Sequence, residues 1–344
     1  MPQPRRTTHE DVARRLGLTI TDTNALTIER RRHGRGFTYR DSATGRTVNG
    51  ARRREIEALV LPPAWEEVRV SPEACTHLQA VGRDGKRRVQ YRYHEDWARV
   101  RDAVKTERLI RFGRALPRIR AAVEADMKRP LNDRRGVTAT AVRLIDRQLL
   151  RVGSEQYLAD GTRGASTLAN RSVKVARKAV ELTFRAKAGK RVNLRLKDTK
   201  LARRVRKLRR RGGKRLFSWR SGRKVKSVNA RLINAYLTDA GGAPVSAKDF
   251  RTFAGSALAL ERLCEALDDE PSSLTTRRRA TASAVRDVSE RLRNTPAVAR
   301  SSYIHPSIVA AFEDGTLDPN LVRGRRRRGL DAAETGLMRF LEAR

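Results

Sequence analysis

Near Trp97 the hydrophobic pattern changes period, and that change commits the chain to a fold in two parts. Before it, apolar residues come in short alternating runs: Phe37 and Tyr39, Val68 and Val70, then Val89, Tyr91 and Tyr93. Alternation puts successive side chains on opposite faces of a strand. Asp84-Gly85 between two such runs signals a hairpin. Gly34-Arg-Gly36 reads as a turn, and Phe37-Thr-Tyr39 and Thr47-Val48 are expected to pair across Ser-Ala-Thr-Gly45. After Trp97 the spacing becomes three and four, as in Leu109, Phe112 and Leu116, where Pro117 is expected to start a new helix carrying Ile119, Val123 and Met127. A chain of 344 residues suits two domains of ordinary size. The expectation is an α+β fold, with a small strand-rich domain over residues 1–100 and a larger, mainly helical domain over 101–344.

The helical part carries its own punctuation. Val137, Ala141, Leu144, Ile145 and Leu149 mark an amphipathic helix that Gly153 should stop just after Arg151. Val180, Leu182 and Phe184 alternate, as do Val192, Leu194 and Leu196, so a hairpin with lysines at its tip is expected between them. Residues 201–215 read as a basic helix. Ser246-Ala-Lys-Asp249 is a capping box opening a helix whose buried side holds Phe250, Phe253, Ala257, Leu260, Leu263 and Leu267, with Arg251 in the first turn off that side. A further helix through Ala284, Val285, Val288 and Leu292 delivers Asn294. There Thr295 can cap and Pro296 can start a short helix ending at Tyr303, which Pro306 would not let continue unchanged. Arg325 to Arg328 read as a flexible linker before a last helix with Leu337, Phe340 and Leu341.

Charge narrows the partner. Lys and Arg number 77 against 38 acidic residues, a formal charge of +39 spread along the chain, which calls for a polyanion. Nucleic acid is the commonest polyanion met by a folded basic protein, whereas a membrane surface is usually met by one basic amphipathic helix, and none stands out. Hydrophobic residues at 39% suffice for buried cores. Cys75 and Cys264, far apart, suggest neither a disulfide framework nor a thiolate metal cluster, and fit a reducing cytoplasm. The first ten residues have no apolar signal-peptide core, and no run approaches the roughly 18 apolar residues of a membrane span. No phosphate-binding Gly-x4-Gly-Lys loop, His-Glu-x-x-His or EF-hand pattern occurs, so no ATP, zinc, calcium or other cofactor is expected.

A tyrosine beside a turn is ordinarily a packing residue, and only a constellation makes it a nucleophile. Two arginines at element ends, a lysine on a hairpin tip and a tyrosine near a bend are the parts needed to transfer a phosphodiester onto a phenol. Arginine forks hold the non-bridging oxygens of the phosphorane, lysine protonates the leaving alkoxide, and positive surroundings favour the ionised phenol. On the strand Arg88 to Tyr93, alternation favours a core face of Val89, Tyr91 and Tyr93 over a strand whose polar groups meet DNA in the major groove.

Several ordered motifs resemble the small bacterial and poxvirus-like type IB DNA topoisomerases. In the first part they are Gly34-Arg-Gly-Phe-Thr-Tyr39, Leu61-Pro-Pro-Ala-Trp65 and His77-Leu-Gln-Ala-x-Gly-Arg-Asp84 followed by Gln90-Tyr-Arg-Tyr93. In the second they are Arg151-Val-Gly-x-Glu-x-Tyr157, Gly161-x-x-Gly-x-x-Thr-Leu168, Phe184-Arg-Ala-Lys-Ala-Gly-Lys190, Lys248-Asp-Phe-Arg251 and Asn294-Thr-Pro-Ala-Val-x-x-x-x-Tyr303. The resemblance implies that Tyr303 is the nucleophile and forms a 3′-phosphotyrosyl link, while Arg151, Arg251 and Asn294 bind the non-bridging oxygens. Asn294 stands where many relatives have histidine. Lys187 matches the general acid of the hairpin, with Lys190 as the alternative three residues on. Gln90, Tyr91, Tyr93 and Lys248 would contact DNA. A monomer that closes on double-stranded DNA like a clamp, in the cytoplasm at the nucleoid, and relaxes supercoils without ATP or metal is what the resemblance implies. Tyrosine recombinases share this chemistry, but they typically show His-x-x-Arg where this chain has Lys248-x-x-Arg251, and their N-terminal domain is helical.

Overall fold

The computed structural model describes residues 8–186, 189–268 and 273–344. Two compact units meet in the chain at 105/106. In the first, α1 (His9–Arg15) precedes β1 (Ile28–His33), β2 (Gly36–Asp41), α2 (Gly50–Ala58), β3 (Glu66–Val70), β4 (Leu78–Arg83) and β5 (Val89–Tyr93). The strands form one antiparallel sheet in the order β2-β1-β3-β4-β5. Ile56 of α2 closes its core with Ile28, Tyr39, Leu61, Val68, Val70 and Ala80. The partner of β2 is the upstream strand β1, joined across Gly34-Arg35, while Thr47 makes only an isolated bridge to Arg40. Gly34, at a φ of 56°, takes the left-handed conformation that such a tight turn needs.

The expected core face of β5 is overturned. Val89, Tyr91 and Tyr93 are 43%, 48% and 39% exposed. Alternation reports burial only where a layer covers one face, and β5 is an edge strand that contributes nothing to the core beneath the sheet.

Helix α3 (Trp97–Asp126) runs for 30 residues straight through Pro117, which was expected to start a new helix. Proline costs a helix one hydrogen bond and a clash with the carbonyl four residues back. That residue is Gly113, whose missing side chain makes room for Phe253 and Met338. Burial of Phe112, Leu116 and Ile119 on the same stretch, at about 1.5 to 3 kcal/mol each, outweighs the local penalty.

The second unit continues with α4 (Arg134–Gln148), a three-stranded antiparallel sheet of β6 (Val173–Val175), β7 (Ala179–Arg185) and β8 (Arg191–Lys197), then α5 (Thr199–Arg210) and the hairpin of β9 (Ser218–Ser221) and β10 (Lys224–Ser227). Helices α6 (Ala230–Gly241), α7 (Ala247–Ala266), α8 (Leu274–Leu292), α9 (Pro296–Tyr303), α10 (Pro306–Glu313) and α11 (Ala332–Glu342) complete it. One core runs through it, in which Val137, Leu144 and Ile145 of α4 join Phe253 and Leu260 of α7, Val288 of α8 and Leu337 of α11. The architecture is therefore a strand-rich first part and a larger helical second part.

Three further local expectations change. Helix α4 ends at Gln148, short of Arg151, because Leu149 itself turns left-handed at a φ of 52°. Arg251 is buried, 3% exposed, for reasons that belong to the site. The basic run 325–328 is tied down: the Arg327 amide donates to Thr335 Oγ1 at 3.1 Å, its guanidinium to Glu342 Oε2 at 2.6 Å, and Arg339 donates to the Arg325 carbonyl at 2.5 Å. Helix α11 supplies all three partners, which the local composition does not reveal. Among the described residues no helix is long and apolar enough to cross a membrane.

Candidate active site

Tyr303 is the last residue of α9. Thr295 Oγ1 accepts from the Val298 amide and Pro296 occupies the first turn, as the local signals lead one to expect. Beyond Tyr303 the chain is extended at Ile304, and His305 caps α10, with Pro306 in its first turn. Two contacts from α7 hold this break. Ser256 Oγ donates to the Tyr303 carbonyl at 3.1 Å and accepts from the His305 amide at 3.1 Å. A side chain on Gly255 would stand 3.0 Å from the Tyr303 carbonyl, tighter than ordinary contact, so glycine eases this close approach of α7. Ser256 was missed in the sequence, although a small polar residue within the apolar stripe of α7 is the kind of signal that marks a buried bond.

Arg251 sits in the first turn of α7, which Ser246 and Asp249 fix by a reciprocal capping box. Arg108 also pairs with the Asp249 carboxylate. Arg251 Nη1 donates to the Leu149 carbonyl and Nη2 to the Leu292 carbonyl at 2.9 Å. These are C-terminal carbonyls of α4 and α8, which have no partner within their own helices and carry the negative end of the dipole. The same end of α4 is held twice more, by Arg293 on the Gln148 carbonyl and by Arg291 on the Arg147 carbonyl at 3.2 Å. Burial, with the like charges of Arg251 and Arg291, pushes the Arg293 guanidinium down to about 10.

Each of these helix ends delivers a candidate residue. Two residues past Leu149 comes Arg151, and two past Leu292 comes Asn294. Arg151 Nη2 donates to Asn294 Oδ1. With its oxygen so engaged, the Asn294 amide nitrogen is buried and has no hydrogen-bond partner among the described residues; the same holds for Arg251 Nε. Buried donors of this kind are costly unless a ligand takes them. Lys190 Nζ donates to the Asn294 main-chain carbonyl at 3.3 Å, whereas Lys187 lies outside the described residues.

Arg151, Lys248, Arg251 and Tyr303 line one cleft of about 410 Å³. Lys248 is exposed at its mouth and Tyr303 is 7% exposed within it. Burial by itself would raise the Tyr303 phenol, but the positive charges of Arg251, Arg151 and Lys248 outweigh it and hold the phenol below its ordinary value. For Arg251, burial lowers the guanidinium and Tyr303 opposes the shift. An enclosed phenol biased toward ionisation beside unfilled donors can attack an anionic centre and stabilise the charge that develops.

The strand residues are in the first unit. Tyr91 and Tyr93 stack with ring centroids 6.1 Å apart, and Tyr93 stacks on Trp97 at 6.2 Å. Gln90 points back along the hairpin, its Nε2 donating to Asp84 Oδ2 at 2.9 Å. Hydrogen bonds from Arg88 are the main reason the Asp84 carboxyl falls to about 2.

Residues 94–317 match a family described as eukaryotic DNA topoisomerase I, catalytic core, and residues 36–84 match bacterial DNA topoisomerase IB, N-terminal domain. The chain is also similar to the DNA topoisomerase 1B of Acanthamoeba polyphaga mimivirus. The two are 28% identical over 284 residues, covering 80% of this chain and 84% of that protein.

Proposed function

The chain belongs to the type IB DNA topoisomerase family, and from that premise we propose that it relaxes supercoiled duplex DNA by cutting and resealing one strand through Tyr303. The Tyr303 oxygen attacks the scissile phosphorus as the bond to the 5′-oxygen breaks. This leaves a 3′-phosphotyrosyl link and a free 5′-hydroxyl. Attack by that hydroxyl on the same phosphorus reverses the step, releases the phenol and restores the strand. The phosphodiester energy is conserved in the phosphotyrosyl bond, so no ATP or metal is consumed while the free end swivels.

One observation carries this reading: Tyr303 shares its cleft with Arg151 and Arg251, beside two buried donors that nothing among the described residues satisfies. Arg251 Nε and Asn294 Nδ2 are donors suited to the non-bridging oxygens, and Arg151 adds a fork held in place by Asn294. Lys187 is assigned as the general acid toward the 5′-oxygen. Lys248 contacts phosphate at the mouth of the cleft. On the first unit, the exposed rings of Tyr91 and Tyr93 offer apolar contact to base edges, and Gln90 reads a base after giving up Asp84. The enzyme acts as a monomer on double-stranded DNA at the nucleoid.

Relaxation of supercoiled plasmid in EDTA without nucleotide, together with denaturant trapping of the covalent complex, tests the proposal. Relaxation and a Tyr303-dependent adduct are expected, with Tyr303→Phe binding DNA but forming none. Strict dependence on ATP or magnesium, or an adduct that persists in Tyr303→Phe, would overturn it.

A further inference from the structure

Arg163 belongs to none of the roles assigned above, yet it lines the same cleft as Arg151, Lys248, Arg251 and Tyr303. Its position follows from two glycines. A side chain on Gly153, whose φ is 89°, would meet Thr167 Oγ1 at 2.7 Å and Gly164 at 2.9 Å; one on Gly164 would lie 2.5 Å from the Arg151 carbonyl. Without those side chains the segments 151–153 and 164–167 run backbone against backbone. The Ala165 amide donates to the Arg151 carbonyl at 2.9 Å and the Ser166 amide to the Val152 carbonyl at 2.7 Å. Arg163, next to Gly164, is thereby set in fixed relation to Arg151.

Its own bonds add to this. The Arg163 amide donates to the Arg185 carbonyl at the end of β7 at 2.8 Å, and its Nη1 donates to the Thr167 carbonyl at 2.9 Å. Bracing the loop uses one of five guanidinium N–H groups. Among the described residues no carboxylate lines the cleft and none pairs with Arg163. A half-buried cation on a rigid loop, facing a cleft without acid groups, is built for an anion.

We propose that Arg163 is a further substrate-binding residue, whose guanidinium holds a phosphodiester flanking the scissile one. The inference rests on the reading of the cleft as the DNA cleavage site. It would set the register of the strand over Tyr303 without touching the bonds that change.

Methylphosphonate scanning tests this. Duplexes carrying one neutral methylphosphonate at each position around the cleavage site are bound to the Tyr303→Phe protein, with and without Arg163→Gln. On natural duplex, Arg163→Gln should weaken binding about 10-fold, the scale of one charge-assisted hydrogen bond, and reduce the salt dependence by about one phosphate. At one flanking phosphate, the methylphosphonate penalty seen with Arg163 should vanish in Arg163→Gln while penalties elsewhere stay unchanged. Arg163→Lys should recover part of it. A loop brace alone would lower affinity equally at every position and leave each penalty in place, and that result would overturn the proposal. Because binding is read in Tyr303→Phe, the outcome is separate from cleavage. A wild-type enzyme that forms no adduct sinks the proposed function, whereas an unchanged pattern of penalties sinks only the role of Arg163.

Discussion

The Arg251 guanidinium carbon lies 4.8 Å from the centre of the Tyr303 ring while its two terminal nitrogens hold the carbonyls of Leu149 and Leu292. One side chain thus faces the candidate nucleophile and ties together the two helix ends that deliver Arg151 and Asn294. Positioning and electrostatics are joined in a single residue.

Arg251→Ala should therefore cost stability as well as activity. It leaves two helix-end carbonyls without their donor in a buried place, at about 1 to 3 kcal/mol each. Denaturant unfolding should show a loss of about 2 to 6 kcal/mol, and the covalent adduct should disappear. A variant as stable as wild type but inactive would mean that the carbonyl contacts contribute nothing to the fold.

The lowered phenol gives a pH prediction. Difference titration of wild type against Tyr303→Phe should place Tyr303 below the ~10 of free tyrosine, and Lys248→Gln should move it back up. The folded value is depressed, so the associated stability is fully present only above the unfolded value and is lost as pH falls through the folded one. Cleavage should rise with pH and level off earlier in wild type than in Lys248→Gln. A Tyr303 titration at or above 10 would contradict the arrangement.

Lys187 is tested through its leaving group. An alkoxide is nearly as basic as hydroxide and needs a proton to leave, whereas a thiolate, with a conjugate-acid pKa of about 8.5, leaves without help. Lys187→Ala should cut natural duplex about 10² to 10⁴ times more slowly, yet cut a duplex with sulfur at the bridging 5′-position at close to the wild-type rate. Arg251→Ala should not be rescued by the sulfur. Rescue of Lys190→Ala in place of Lys187→Ala would move the acid three residues along the hairpin, where Lys190 already reaches the Asn294 carbonyl.

Exposure on β5 separates packing from binding. Tyr91→Ala should change stability by no more than about 0.5 kcal/mol, as for other surface sites, and weaken DNA binding about tenfold, or ~1.4 kcal/mol. Unfolding of that variant with unaltered affinity would return the ring to a structural role.

Features set by neighbours within a few residues were legible in the amino-acid order. Thr295 and Pro296 start the helix that ends at Tyr303, Ser246 and Asp249 start the helix that carries Arg251, and Asp84-Gly85 turns the chain into β5; each is a local bond or a local φ preference. The ordered motifs placed Arg151, Arg251 and Tyr303, and the structure brings them into one cleft. Where burial falls was not legible there, because it depends on long-range packing. Arg251 is off the apolar stripe of its own helix and is buried because two other helices end against it, from 102 and 41 residues away in the chain. Tyr91 alternates like a core residue and is exposed because no layer covers an edge strand. Pro117 looks like a boundary and is overrun because Phe253 and Met338 pack on Gly113, one turn before it. Arg163 carries no local mark of a site, since its place beside Arg151 depends on two glycine backbones meeting across a gap in sequence. Hydrophobic burial and the satisfaction of helix ends depend on partners distant in the chain, and no local pattern encodes which partners arrive.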